Sequence, residues 1–145
     1  MLIYRCRATI YANQIDHDDM RGLIRHLKNG RAIWYSPDQD YGLKQGVMAP
    51  FFGTPAATMT AHRRLIKMTK AAAIPLYFYR AGDIANPQYK VLIEAAVENL
   101  PSEDEVDDAT RVNKIIENQL RIAPTQYMWF HRRFKTRPEG YDEIY

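Results

Sequence analysis

An α/β fold is predicted for this chain by three observations. Short β-branched and aromatic runs alternate with longer amphipathic stretches, segments rich in Gly, Pro and Asp separate them, and no apolar run approaches the roughly 20 residues that a membrane-spanning helix needs. The expected architecture is one domain over residues 1–145, a mixed sheet with flanking helices. Its 46% apolar and 26% charged residues are ordinary globular composition, and 145 residues suffice to bury one core. The N-terminal residues lack a signal-peptide pattern, and the single cysteine, Cys6, has no internal disulfide partner. Both features suit a reducing compartment, so the chain reads as cytosolic-side.

The first element is a helix over 16–29. Acidic residues open it, Met20, Leu23, Ile24 and Leu27 recur at helical spacing, and Lys28 and Gly30 close it. Residues 31–36 (RAIWYS), aromatic, β-branched and ended by Pro37, predict a buried strand. Residues 37–55 read as a long functional loop. Thr54 with Pro55 then predicts the start of a basic amphipathic helix, with Ala57, Ala61, Leu65 and Met68 on one face and His62, Arg63, Lys67 and Lys70 on others. Residues 74–80 (IPLYFYR) and 89–97 (YKVLIEAAV) read as strands pairing antiparallel across AGDIANPQ. Ser102 and Glu105 predict a capping box for a long helix carrying Val106, Ala109, Val112, Ile116, Leu120 and Ala123 inward until Pro124.

The net charge of +3 is unevenly spread. Arg63, Arg64, Lys67 and Lys70 form one basic cluster and Arg132, Arg133, Lys135 and Arg137 another, with Glu98, Glu103, Asp104, Glu105, Asp107 and Asp108 between them. Two such clusters suit phosphate-bearing partners, whether nucleic acid or anionic lipid. Solvated helix faces explain either cluster alone equally well.

None of the four histidines has the setting of a base or metal ligand. His17 lies among Asp16, Asp18 and Asp19 at a helix start, where acids serve the dipole. His26 and His62 follow or precede arginines that depress a histidine's pKa without orienting it, and His131 stands among aromatics and cations. Cys6, between Arg5 and Arg7, fits a small apolar filler better than a reactive thiolate. No catalytic residue, metal or cofactor is expected.

Two segments carry more chemistry. In Asp38, Gln39, Asp40 and Tyr41, with Lys44 close behind, two carboxylates, an amide, a phenol and a cation gather after the predicted strand, where α/β folds place ligands. They suit sugar hydroxyls or an acceptor amine or alcohol. An Asp- and Gly-rich turn with no ligand is the competing reading. In residues 127–138, Trp129 and its aromatic neighbours interleave with Arg132, Arg133, Lys135 and Arg137, a pattern suited to membrane headgroups and lipid phosphates. A single-stranded nucleic-acid platform uses the same residue types, and some of the aromatics can simply complete the core.

The segments WYSPDQDYG, PFFGTPAATMTA, AAAIPLYFYR and APTQYMWFHRRFKTRPEG together resemble the lipid A biosynthesis acyltransferases of the glycerolipid acyltransferase superfamily, over essentially the whole chain. The resemblance implies an acyltransferase-type sandwich. It also implies transfer of a fatty acyl chain from acyl carrier protein to a Kdo-bearing lipid A precursor at the cytoplasmic face of the inner membrane. Asp38, Gln39 and Asp40 match the family's third sequence block, implied to form part of the acceptor pocket. Pro75 marks the fourth, and Arg5 and Arg7 align loosely with an arginine pair.

The chain departs from that family at its His-x-x-x-x-Asp/Glu motif, in which the histidine is the general base. The fifth residue after each histidine is Gly22, Arg31, Lys67 or Thr136, never a carboxylate. The family's N-terminal anchor and first block are also unmatched. The expectation is therefore the C-terminal part of a larger acyltransferase domain, inactive alone and completed by a separate N-terminal half. The alternative is a non-catalytic module that binds anionic lipid. Charge alone suggests a third reading, a nucleic-acid binder, and no nucleic-acid partner is expected.

Overall fold

The computed structural model describes residues 5, 9–10, 14–16 and 19–145. Cys6, Arg7 and His17 lie outside them. The chain divides into two compact units, residues 1–34 and 35–145.

In the first unit, helix α1 (Met20–Lys28) begins at the first apolar residue of the spacing, later than the expected start at residue 16, with no acidic residue in its first turn. Asp19 is its N-cap, with its carboxylate accepting from the Gly22 N–H at 2.8 Å, and Arg25, His26 and Lys28 occupy the last turn. This satisfies an otherwise orphaned amide and places cations at the negative end of the dipole.

The second unit holds the predicted α/β class. The sheet content consists of two separate antiparallel hairpins: β1 (Gly46–Phe51) with β2 (Thr54–Met59), and β3 (Leu76–Ala81) with β4 (Gln88–Ile93). Helix α2 (Ala61–Thr69) follows the first hairpin and α3 (Glu105–Leu120) the second.

The β1–β2 hairpin replaces what the sequence suggested was loop and helix start. Its two-residue turn, Phe52–Gly53, has φ of 49° and 77°, the doubly positive geometry that matches the strands' own twist. Phe52 is held in that unusual conformation by α3. Its N–H donates to Glu117 Oε1 at 2.7 Å, and the Arg121 guanidinium lies 5.1 Å from its ring centroid. Pro50 stands opposite Pro55. Counting out from the turn, this is a pair whose amides point away from the partner strand, so the missing N–H groups cost the ladder nothing. Thr54 and Pro55 therefore start a strand, and α2 begins only at Ala61. Its inner residues are His62 and Leu65, while Met68 is exposed.

Residues 31–36 form no strand, in contrast to expectation. Apolar and β-branched content alone does not make a strand without a ladder partner.

β3 and β4 pair as predicted, from Leu76 opposite Ile93 to Ala81 opposite Gln88. The cap of α3 is Asp104 rather than Ser102, its carboxylate accepting from the Val106 and Asp107 N–H groups at 2.8 and 3.1 Å. Ser102 instead donates its own N–H to the buried Asp108 carboxylate, which also pairs with Arg63 of α2. The inward face of α3 is accordingly more polar than predicted: Asp108, Asn113 and Glu117 are buried beside Ala109 and Leu120, and Val106 is exposed. The apolar core is Phe51, Ala56 and Leu120, with Ile116, Tyr127 and Phe134 packed against it. Among the described residues, no helix is long and apolar enough to cross a membrane.

Candidate functional site

The loop before β1 and the tail after α3 are drawn together by one carboxylate. Asp40 Oδ1 accepts from the Gly42 N–H and the Thr136 hydroxyl, and Oδ2 from the Thr136 N–H, each at 2.8 Å. Asp40 is only 3% exposed, so three donors, two of them backbone amides, offset the loss of its hydration. Gly42, at φ 74° and ψ −179°, occupies a backbone region essentially closed to other residues, which lets the chain turn sharply out of the clasp.

The clasp encloses an open cleft of about 450 Å³ lined by Gln39, Asp40, Tyr41, Gly42, His131, Lys135 and Thr136. Tyr41 donates its phenol to Gln39 Oε1 at 2.8 Å, which occupies the amide oxygen of Gln39 and not its N–H donors. Lys135 is exposed and lies within ion-pair distance of no carboxylate among the described residues. The cleft thus offers an ammonium, an amide and an imidazole to a ligand, while its one carboxylate is saturated internally.

Of the five residues expected to contact an acceptor, Gln39, Asp40 and Tyr41 line this cleft, whereas Asp38 and Lys44 do not. Asp38 contributes its carbonyl, which accepts from Tyr127 Oη at 3.2 Å. Desolvation raises the Tyr127 phenol pKa, and the Asp38 charge raises it further. His131 and Thr136 were not singled out by the sequence. Their proximity to Asp40 is a long-range fact, 96 positions apart for Thr136, that no local spacing encodes.

The basic tail divides in two. Arg132 and Lys135 are exposed and Trp129 is 43% exposed, as a headgroup contact requires. Arg133 is not: it is fully buried, which corrects the expectation that it faces lipid phosphates. Its guanidinium donates to Ala57 O at 2.6 Å, Thr58 Oγ1 at 2.9 Å and Asn113 Oδ1 at 3.1 Å, and sits 5.0 Å from the Phe51 ring centroid. Asn113 in turn donates to Pro50 O and Thr58 Oγ1. Burial lowers the Arg133 pKa, opposed by Tyr127, Asp40 and Asp38. Arg137 is half-buried, reaching Pro55 O at 3.1 Å and covering the Tyr141 ring. These two arginines fasten the tail to β2, because the carbonyls of Pro55 and Ala57 face away from β1 and need donors.

His62 and Tyr35 form a second buried polar pair, with ring centroids 6.2 Å apart. Among the described residues, neither imidazole nitrogen nor the Tyr35 hydroxyl has a hydrogen bond of full geometry, although the His62 backbone lies close enough to favour the Tyr35 phenolate and the Met59 backbone to favour the His62 imidazolium. Burial lowers the His62 pKa and pushes the Tyr35 phenol up to about 12. Among the described residues, no three His, Cys, Asp or Glu side chains converge as a metal set would.

Sequence comparison assigns the chain's ancestry. The family of bacterial lipid A biosynthesis acyltransferases matches residues 1–136. The chain is 40% identical over 132 residues to the lipid A biosynthesis palmitoleoyltransferase of Escherichia coli (strain K12), covering 90% of this chain and 42% of that enzyme. It is 38% identical over 134 residues to the lipid A biosynthesis lauroyltransferase of the same organism, covering 92% and 43%. It is also 40% identical over 129 residues to a lipid A biosynthesis acyltransferase of Haemophilus influenzae, covering 88% and 41%. The chain thus spans about two-fifths of the length of the curated relatives it matches. It carries, across nearly its whole length, the sequence of the bacterial lipid A biosynthesis acyltransferase family, and it belongs to that family.

Proposed function

We propose that this chain is the acceptor-side part of a lipid A biosynthesis acyltransferase. In the complete enzyme, the acyl chain comes from acyl carrier protein and the acceptor is a Kdo-bearing lipid A precursor. The observation that supports this reading is the Asp40 clasp, which joins Gln39 and Tyr41 to Lys135 and His131 around one cleft. An ammonium without an ion-pair partner attracts phosphate or carboxylate, and an amide beside a phenol suits sugar hydroxyls. The working position is the cytoplasmic face of the inner membrane, with Trp129, Arg132 and Lys135 toward the headgroups.

The chain alone transfers no acyl group in this reading. A positioned general base contributes roughly 10²- to 10⁴-fold, and no histidine here has a carboxylate five residues on. The test is acyl transfer from acyl carrier protein to the precursor, by the chain alone and co-expressed with the part of the E. coli palmitoleoyltransferase that it does not match. Activity only in the second case supports the reading, and turnover by the chain alone refutes the missing base.

A second reading, a non-catalytic anionic-lipid module, is favoured by the exposure of Arg132 and Lys135. Vesicle binding with no transfer in either case would select it.

A further inference from the structure

The β3–β4 hairpin presents a surface that nothing in the second unit covers. Leu76, Phe78 and Arg80 share one face with their partners Ile93, Val91 and Tyr89. The five apolar members are exposed by 39%, 58%, 69%, 59% and 69% for Leu76, Phe78, Ile93, Val91 and Tyr89. The other face carries the stacked Tyr77 and Tyr79 together with Leu92, with the exposed Lys90 and Gln88 toward the connecting turn. An apolar sheet face belongs against a covering layer, and a lone two-stranded hairpin is marginal in water.

The backbone is equally incomplete. The Glu94 N–H to Pro75 O bond sets the ladder phase, so the amides and carbonyls of Leu76, Phe78, Arg80, Tyr89, Val91 and Ile93 point away from the partner strand. Among the described residues, only Arg80 is met there. Its N–H donates to Gln126 Oε1 and its carbonyl accepts from Gln126 Nε2, both at 2.8 Å, so the side-chain amide imitates a neighbouring strand. The β4 edge at Tyr89, Val91 and Ile93 has no such cover among the described residues and no proline or bulge to blunt it.

We propose that this face and the β4 edge are the docking surface for the portion of the acyltransferase fold that the relatives contain and this chain does not span. Two observations select that occupant. The matched relatives carry more than half of their length outside the region this chain matches, so a covering polypeptide exists in the same molecule. The open edge also requires N–H and C=O partners, which hydrocarbon cannot supply and an added strand can. The inference rests on family membership and on the hairpin, not on the cleft.

The test is amide hydrogen exchange at Tyr89, Val91 and Ile93, followed without acyl donor or acceptor. It compares this full chain alone, the chain co-expressed with the unmatched part of the E. coli palmitoleoyltransferase, and that whole enzyme at the aligned positions. Expected are fast exchange in the chain alone and at least about tenfold slowing in both the complex and the whole enzyme. Val91→Lys should weaken the complex by about tenfold or more, whereas Ile84→Lys, in the connecting turn, should not. Equal exchange in the chain alone and the whole enzyme overturns the proposal, as does absence of a complex from a chain that retains its helical signal. Protection through self-association or through added anionic vesicles overturns it too, by naming a different occupant. Because complex formation is read without substrates, the result stands apart from whether the cleft binds an acceptor.

Discussion

Thr136 satisfies both oxygens of Asp40, its N–H donating to one and its hydroxyl to the other at 2.8 Å, and this closes residues 39–42 against the C-terminal tail. Removing the carboxylate leaves two backbone amides and a hydroxyl without their acceptor. Asp40→Ala should therefore destabilise the chain by about 3 kcal/mol, and Thr136→Val, which keeps the N–H bond, by about 1 kcal/mol. Urea unfolding measures both, and equal costs would contradict the shared-carboxylate geometry.

Arg133 should behave as a core residue. Arg133→Ala opens a cavity and strands the acceptors on Ala57, Thr58 and Asn113, with an expected cost of about 3 kcal/mol. Arg133→Met fills most of the volume without a buried charge and should cost about 1–2 kcal/mol. Neither variant, once folded, should bind anionic vesicles less well than the parent chain.

Arg132 and Lys135 are exposed and should carry the lipid attraction that Arg133 does not. Neutralising either to Gln should weaken binding to anionic vesicles by roughly fivefold, near 1 kcal/mol per cation, with the difference vanishing at high salt. Vesicle co-sedimentation reads this directly.

His62 gives the chain an acid sensitivity. Its pKa is lowered in the folded state by burial, so between the unfolded value near 6.5 and the lower folded value the unfolded chain holds the extra proton. Stability is thus full above about pH 6.5 and falls as the pH drops through that window. His62→Phe should flatten this part of the profile in urea unfolding at stepped pH.

Tyr35 buries a hydroxyl with no hydrogen bond of full geometry among the described residues, only a weak interaction with the His62 backbone, and removing it should cost little. Tyr35→Phe is expected to be neutral or to stabilise by up to about 1 kcal/mol. In the parent chain, phenolate absorbance should show one tyrosine titrating near pH 12 while the fold persists.

The sequence by itself determined the family, the α/β class, the β3–β4 pairing, α1 and α3, and the absence of a carboxylate five residues after any histidine. Each is written in residue order or in local periodicity. Only the tertiary structure decided the rest. The prolines and alanines of residues 49–57 look like loop and helix start, and they become a hairpin because α3 supplies Glu117 to a strained Phe52. Arg133 reads as one of four surface cations until the acceptors on Ala57, Thr58 and Asn113 draw it inward. His131, Lys135 and Thr136 join residues 39–42 at one cleft through a bond spanning 96 positions, and backbone or side-chain groups that distant meet only when the chain has folded.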